Sequence, residues 1–150
     1  MSDDRARHFD DFKPGDRFRS APLEVSEALI VEFARFYDPQ VFHTDPRGAK
    51  ETIYEGLIAS GLQTIALTFK LFIETGTLAA SSFGSPGLDE VRWKVPVRPG
   101  DTLHVVGEVL EARASSSKPD RGIVRIHYTT VNQRGEAVLT FIGNQLLRRR

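Results

Sequence analysis

Residues 61–74, Gly61-Leu62-Gln63-Thr64-Ile65-Ala66-Leu67-Thr68-Phe69-Lys70-Leu71-Phe72-Ile73-Glu74, carry apolar side chains over most of the circumference of a helix. Leu62, Ile65, Ala66, Phe69, Phe72 and Ile73 recur on one broad face, and Leu67 and Leu71 widen it. A helix so apolar all round is expected to be buried on several sides. Ser60 is a good N-cap for it and Gly76 a good stop.

The chain changes period on either side of this helix. Upstream, the turn Pro14-Gly15-Asp16 leads into a first strand expected over Arg17 to Val25. Ser26 then caps a helix over about Glu27 to Tyr37, in which Leu29, Ile30, Phe33 and Phe36 keep helical spacing. Asp38-Pro39 ends it, because the residue before proline is pushed out of the α region. A short helical piece is expected over Pro46 to Thr52, with Asp45 as its N-cap. Downstream, the small Ser/Gly-rich stretch Thr77 to Gly87 reads as a mobile loop. The period then becomes two: Val91, Trp93, Val95 and Val97 alternate with Glu90, Arg92 and Lys94. After the turn Arg98-Pro99-Gly100-Asp101, three longer strands are expected at about Thr102 to Arg113, Gly122 to Asn132 and Ala137 to Leu147. Short connections make them successive antiparallel hairpins. One apolar helix set between a first strand and a long meander predicts an α+β fold, an antiparallel sheet wrapped around a central helix, the hot-dog arrangement. Residues 1–150 are expected to form a single domain.

Composition narrows the function classes. Twenty Lys plus Arg balance twenty Asp plus Glu, so no global field favours nucleic acid or an anionic membrane surface. The Arg148-Arg149-Arg150 tail reads as a solvated end. The chain has no cysteine, which excludes a thiol nucleophile, a disulfide framework and a thiolate zinc site. No leader-like apolar segment and no run of eighteen apolar residues is present, so a cytoplasmic location is expected.

The chemistry is concentrated in Asp38-Pro39-Gln40-Val41-Phe42-His43-Thr44-Asp45, read as a loop. A carboxylate and an imidazole five residues apart can together move protons about one bound water. Eighteen residues after His43 comes Gly61, at the predicted helix start, where free N–H groups and the positive dipole end meet an anion. Taken singly, Asp38 suits a helix-end carboxylate bound to nearby backbone, and His43 a polar loop residue satisfied by water. Asp45 is read as a cap, and His104 and His127 as structural strand residues. Trp93 and Tyr128 are read as core or subunit contact, and Arg47, Lys50, Arg92 and Lys94 as a solvated face.

Asp38, His43 and Asp45, with the later aliphatic-aliphatic-x-x-Gly segment ending at Gly61, resemble the motif of the MaoC-like dehydratases, the R-specific enoyl-CoA hydratase branch of the hot-dog fold. That motif runs roughly Gly-Asp-x-Asn-Pro-aliphatic-His-x-Asp. Val97-Arg98-Pro99-Gly100-Asp101-Thr102-Leu103 looks like the same family's strand start. Tyr37 stands where the motif has glycine, Gln40 where it has asparagine, and Val41 where it has proline. A hydroxyl that some members carry in the central helix falls near Phe69 here, with Thr64 and Thr68 close by.

The resemblance implies a hydro-lyase acting on an acyl-CoA or acyl-carrier-protein thioester. It implies Asp38 and His43 as the catalytic pair and the Gly61 amide as oxyanion hole, with Ser60, Thr64 and Phe69 as substrate-binding residues. Neither a metal nor another cofactor is required, and no nucleic-acid or membrane partner is expected. A homodimer or higher homo-oligomer is expected. A thioesterase on the same fold, with Asp38 directing water at the thioester carbon, and a non-catalytic acyl-binding subunit are the alternatives.

Overall fold

A computed structural model describes residues 7–150. Its strands are β1 (Arg17–Arg19), β2 (Leu23–Glu24), β3 (Gly87–Trp93), β4 (Thr102–Ala114), β5 (Arg121–Val131) and β6 (Ala137–Arg148). Its α-helices are α1 (Glu27–Tyr37), α2 (Val41–Thr44), α3 (Pro46–Ala49) and α4 (Gly61–Ile73). The six strands form an antiparallel sheet in the order β1-β4-β5-β6-β3, with β2 also pairing β4. The expected meander is β4-β5-β6, with Gly107 opposite Tyr128 and Tyr128 opposite Phe141.

Period-two burial puts Leu103, Val105 and Val109 of β4, Val124, Ile126 and Tyr128 of β5, and Leu139, Phe141 and Leu147 of β6 into one core. Leu67, Leu71 and Phe72 of α4 pack onto it. Gly107 makes room for this crossing: a Cβ there would sit 3.0 Å from the Phe72 ring, tighter than side chains tolerate without shifting.

Four expectations change. The first strand is two short strands, because Pro22 has no N–H for the ladder and Ser20 spans the break with its own atoms. Ser20 N–H donates to Val105 O, and Val105 N–H donates to the Ser20 hydroxyl. The central helix is not buried all round. Gln63, Thr64, Leu67, Thr68, Leu71 and Phe72 are its buried residues, while Leu62, Ala66 and Ile73 face outward. The stretch Thr77 to Gly87 is packed rather than loose, with Leu78 and Ser81 buried and Phe83 N–H, Arg148 N–H and the Ser82–Leu147 bridge tying it to β6. The C-terminal arginines are not a solvated tail. Arg148 ends β6, Arg149 pairs with Asp10, and Arg150 pairs with Asp11 at 2.6 Å. No helix among the described residues is long and apolar enough to cross a membrane.

Candidate active site

Three short elements deliver the site. Helix α1 ends where Pro39 forbids continuation, so Asp38 becomes its C-cap and leaves the helical conformation. His43 lies on the one-turn helix α2, not on a loop as expected from sequence. The turn is closed by His43 N–H and Thr44 N–H donating to Gln40 O, a tightening that four residues without regular apolar spacing do not advertise. An extended segment then runs back past α2, with Ile58 N–H donating to Phe42 O and Ala59 N–H to Val97 O. It ends at Ser60, which caps α4 by accepting from Leu62 N–H at 3.3 Å.

The Asp38 carboxylate is held on both oxygens. Oδ2 accepts from the Ser60 hydroxyl at 2.7 Å, and Oδ1 accepts from the Gln40 amide at 2.7 Å. His43 Nε2 stands 3.3 Å from Oδ2, with the histidine side chain 5% exposed and the aspartate 20%. Burial pushes the Asp38 pKa up, but the Ser60 hydroxyl, the Gln40 amide and the nearby His43 pull it down and prevail. The carboxylate is therefore held below its ordinary value of 3.8. His43 Nδ1 lies 2.7 Å from Ile58 O, which fixes the proton on Nδ1 because a carbonyl can only accept. Nε2 is left as the nitrogen that exchanges a proton.

These groups open into a cavity of about 440 Å³. Asp38, His43, Gly61 and Thr64 line it together, joined by Phe42, Tyr54, Ile58 and Ala59 and by Trp93 to Val97 with Val138. The Gly61 N–H, first in α4, has no hydrogen-bond partner among the described residues. Ser60 sits behind the carboxylate rather than in the cavity wall, fully buried. Phe69 is not brought into the site. Its ring packs on Tyr128 and Phe141 at 5.9 and 5.5 Å between centroids, and it does not line the cavity. Thr68 is also enclosed, bonded to Thr64 O and to the Thr130 hydroxyl.

Sequence reading missed the Gln40 amide on Asp38 and the place of Trp93, whose indole N–H donates to Gly61 O at 3.0 Å. Gln40 was legible as the residue two beyond Asp38, within reach of its carboxylate; no local signal links Trp93 to Gly61. Asp45 caps α3 as expected, accepting from Arg47 N–H. Of the basic residues, Lys94 lines the cavity, while Arg98 is spent on the carbonyls of Tyr54 and Leu57.

Residues 11–132 match the family model described as MaoC like domain. The chain is 41% identical to the crystal structure of the MaoC-like dehydratase from Rhodospirillum rubrum, covering 96% of this chain and 98% of that one with a TM-score of 0.90. It is 34% identical over 125 residues to the uncharacterized protein YdeM of Bacillus subtilis, covering 83% of this chain and 87% of that protein. It is 26% identical over 152 residues to the mesaconyl-CoA hydratase of Cereibacter sphaeroides, covering 100% of this chain but 43% of that protein.

Proposed function

This chain belongs to the MaoC-like dehydratase domain family, and on that footing we propose that it adds water across, or removes it from, the 2,3 double bond of an enoyl thioester. One observation carries the reading. Asp38 Oδ2 and His43 Nε2 converge to 3.3 Å at the edge of a largely apolar cavity, and Nδ1 is already committed to Ile58 O. Whenever the imidazole carries its single proton on Nδ1, its Nε2 lone pair beside the carboxylate gives two acceptors facing one place. A water there donates to both, and loses a proton readily to either.

In the hydration direction the water oxygen bonds to the β-carbon while its proton passes to Asp38, with His43 Nε2 positioning the water and relaying the proton. The alkene electron pair moves toward the thioester, whose oxygen takes up negative charge. The Gly61 N–H at the start of α4 meets that charge, aided by the helix dipole. A proton returned through the pair to the α-carbon completes the addition and restores both groups. Thr64 lies on the cavity wall one turn beyond Gly61 and contacts the acyl group. Ser60 acts through Asp38, as a positioning residue.

The thioester handle is coenzyme A or an acyl carrier protein, and the working unit is a homodimer or larger. The outer edge of β3 and the exposed side chains of Leu62 and Ile73 support a second copy at this side of the sheet. Light scattering returning the monomer mass would remove that part. The activity is tested with a panel of enoyl-CoA and 3-hydroxyacyl-CoA thioesters, following alkene absorbance and thiol release together. Loss of absorbance without thiol supports hydration. Thiol release at the same rate would replace it by thioester hydrolysis.

A further inference from the structure

We propose that Trp93 is a specificity-determining wall at the carbonyl end of the cavity, placed to exclude thioesters that carry a substituent on the α-carbon. Trp93 is the last residue of β3, and its side chain leaves the sheet edge to lie on the first turn of α4. The indole N–H donates to Gly61 O at 3.0 Å, which fixes the ring's position and tilt. The fit between the two residues is close. A Cβ built on Gly61 would fall inside the van der Waals radii of Nε1 and Cε2, and 3.0 Å from Cζ2. Glycine at 61 thus seats the indole, and the ring lies against the residue whose N–H has no hydrogen-bond partner among the described residues. The ring lines the same cavity as Asp38 and His43 while remaining 54% exposed, so burial in the core does not account for its placement.

The inference rests on the hydratase reading for which substrate atoms lie there. With the thioester oxygen at Gly61 and the β-carbon near the water held by Asp38 and His43, the α-carbon lies between them, with its free edge toward the stretch of wall that Trp93 forms. The α-carbon is trigonal, so a methyl group on it projects in the plane of the enoyl unit, into the volume the ring occupies. Unbranched chains clear it.

Trp93 is the only tryptophan in the chain, so its emission reports the site without a label. Titration of Asp38→Asn protein with crotonyl-CoA, with binding followed independently by calorimetry, is expected to give a saturable emission change at the calorimetric affinity. Binding with unchanged emission would overturn the wall, and absence of binding would overturn both the wall and the cavity's assignment. In turnover, Trp93→Ala is expected to raise the ratio of kcat/KM for 2-methylcrotonyl-CoA over crotonyl-CoA by at least ~10-fold, the scale on which pocket contacts of one methyl group discriminate. An unchanged ratio in an active Trp93→Ala enzyme overturns the proposal. Wild-type protein that hydrates neither thioester instead defeats the hydratase reading, and the emission titration still decides the position of Trp93.

Discussion

Replacing Ser60 by alanine removes one hydroxyl with two duties. Its oxygen donates to Asp38 Oδ2 at 2.7 Å and accepts Leu62 N–H at 3.3 Å, inside a fully buried residue. Loss of an N-cap costs about 1 kcal/mol. Loss of a hydrogen bond to a charged group costs about 1.5–3 kcal/mol. The sum, about 2–4 kcal/mol, corresponds in a chain of this size to a fall in Tm on the order of 10 °C. The two parts separate with pH. Because the folded protein holds the Asp38 pKa below 3.8, the carboxylate's contribution to stability is present above that value and is lost as pH falls through the lower folded value. The Ser60→Ala deficit is therefore expected to be largest near neutrality and to shrink toward the cap's share in acid. Denaturant unfolding of wild type, Ser60→Ala, Asp38→Ala and the double variant closes a cycle, with an expected coupling of about 1–3 kcal/mol at pH 7. Additive single deficits, or a deficit that does not change with pH, would show that the hydroxyl does not hold the carboxylate.

Four further outcomes are expected. Asp38→Asn and His43→Ala each lower kcat by at least ~10²-fold with the fold intact, measured by alkene absorbance and circular dichroism; full turnover in both would dismiss the pair. The acid limb of the kcat/KM profile set by Asp38 falls below pH 3.8 in wild type and moves upward in Ser60→Ala, since burial then acts on the carboxyl with one donor fewer. Gly61→Ala drives a methyl group into the Trp93 indole and is expected to destabilise by about 1–3 kcal/mol, a loss that Trp93→Leu in the same chain relieves; denaturant midpoints decide. Phe69→Ala is expected to lower stability by up to about 3–5 kcal/mol through its contacts with Tyr128 and Phe141, while leaving the acyl chain-length profile as it was. A shifted profile would return Phe69 to the acyl channel.

The sheet was legible because β5 and the first two thirds of β4 alternate buried and half-buried residues, β6 is a long apolar strand buried continuously from Val138 to Gly143, and the turns between them are short. The phase of the central helix was not. Its apolar residues lie on too many sides to choose among, so hydropathy offered Leu62, Ala66 and Ile73 as core although they face outward. Two threonines took the buried positions instead. They manage this because a threonine hydroxyl can bond the carbonyl one turn back, as Thr64 does to Ser60 O and Thr68 to Thr64 O, so that each buries its methyl group with its polar atom satisfied. Of the two helix residues expected to bind substrate, the same phase puts Thr64 on the cavity wall and lets Phe69 rest on the sheet.

The meeting of Asp38 with His43 was legible from spacing, since five residues with a proline between them cannot carry the two side chains far apart. Their environment was not, because it is supplied across long stretches of chain: Ile58 fixes the imidazole proton, Ser60 and Gln40 grip the carboxylate, and Trp93 arrives from the sheet edge. Only Gln40 is near in sequence. Its amide occupies Oδ1 and leaves Oδ2 to the serine and the imidazole, so the residue that departs from the family motif is here a donor to the Asp38 carboxylate. A side chain one methylene longer than asparagine reaches Asp38 from the start of α2, and the departure at position 40 is on these contacts compatible with an ionised, oriented base.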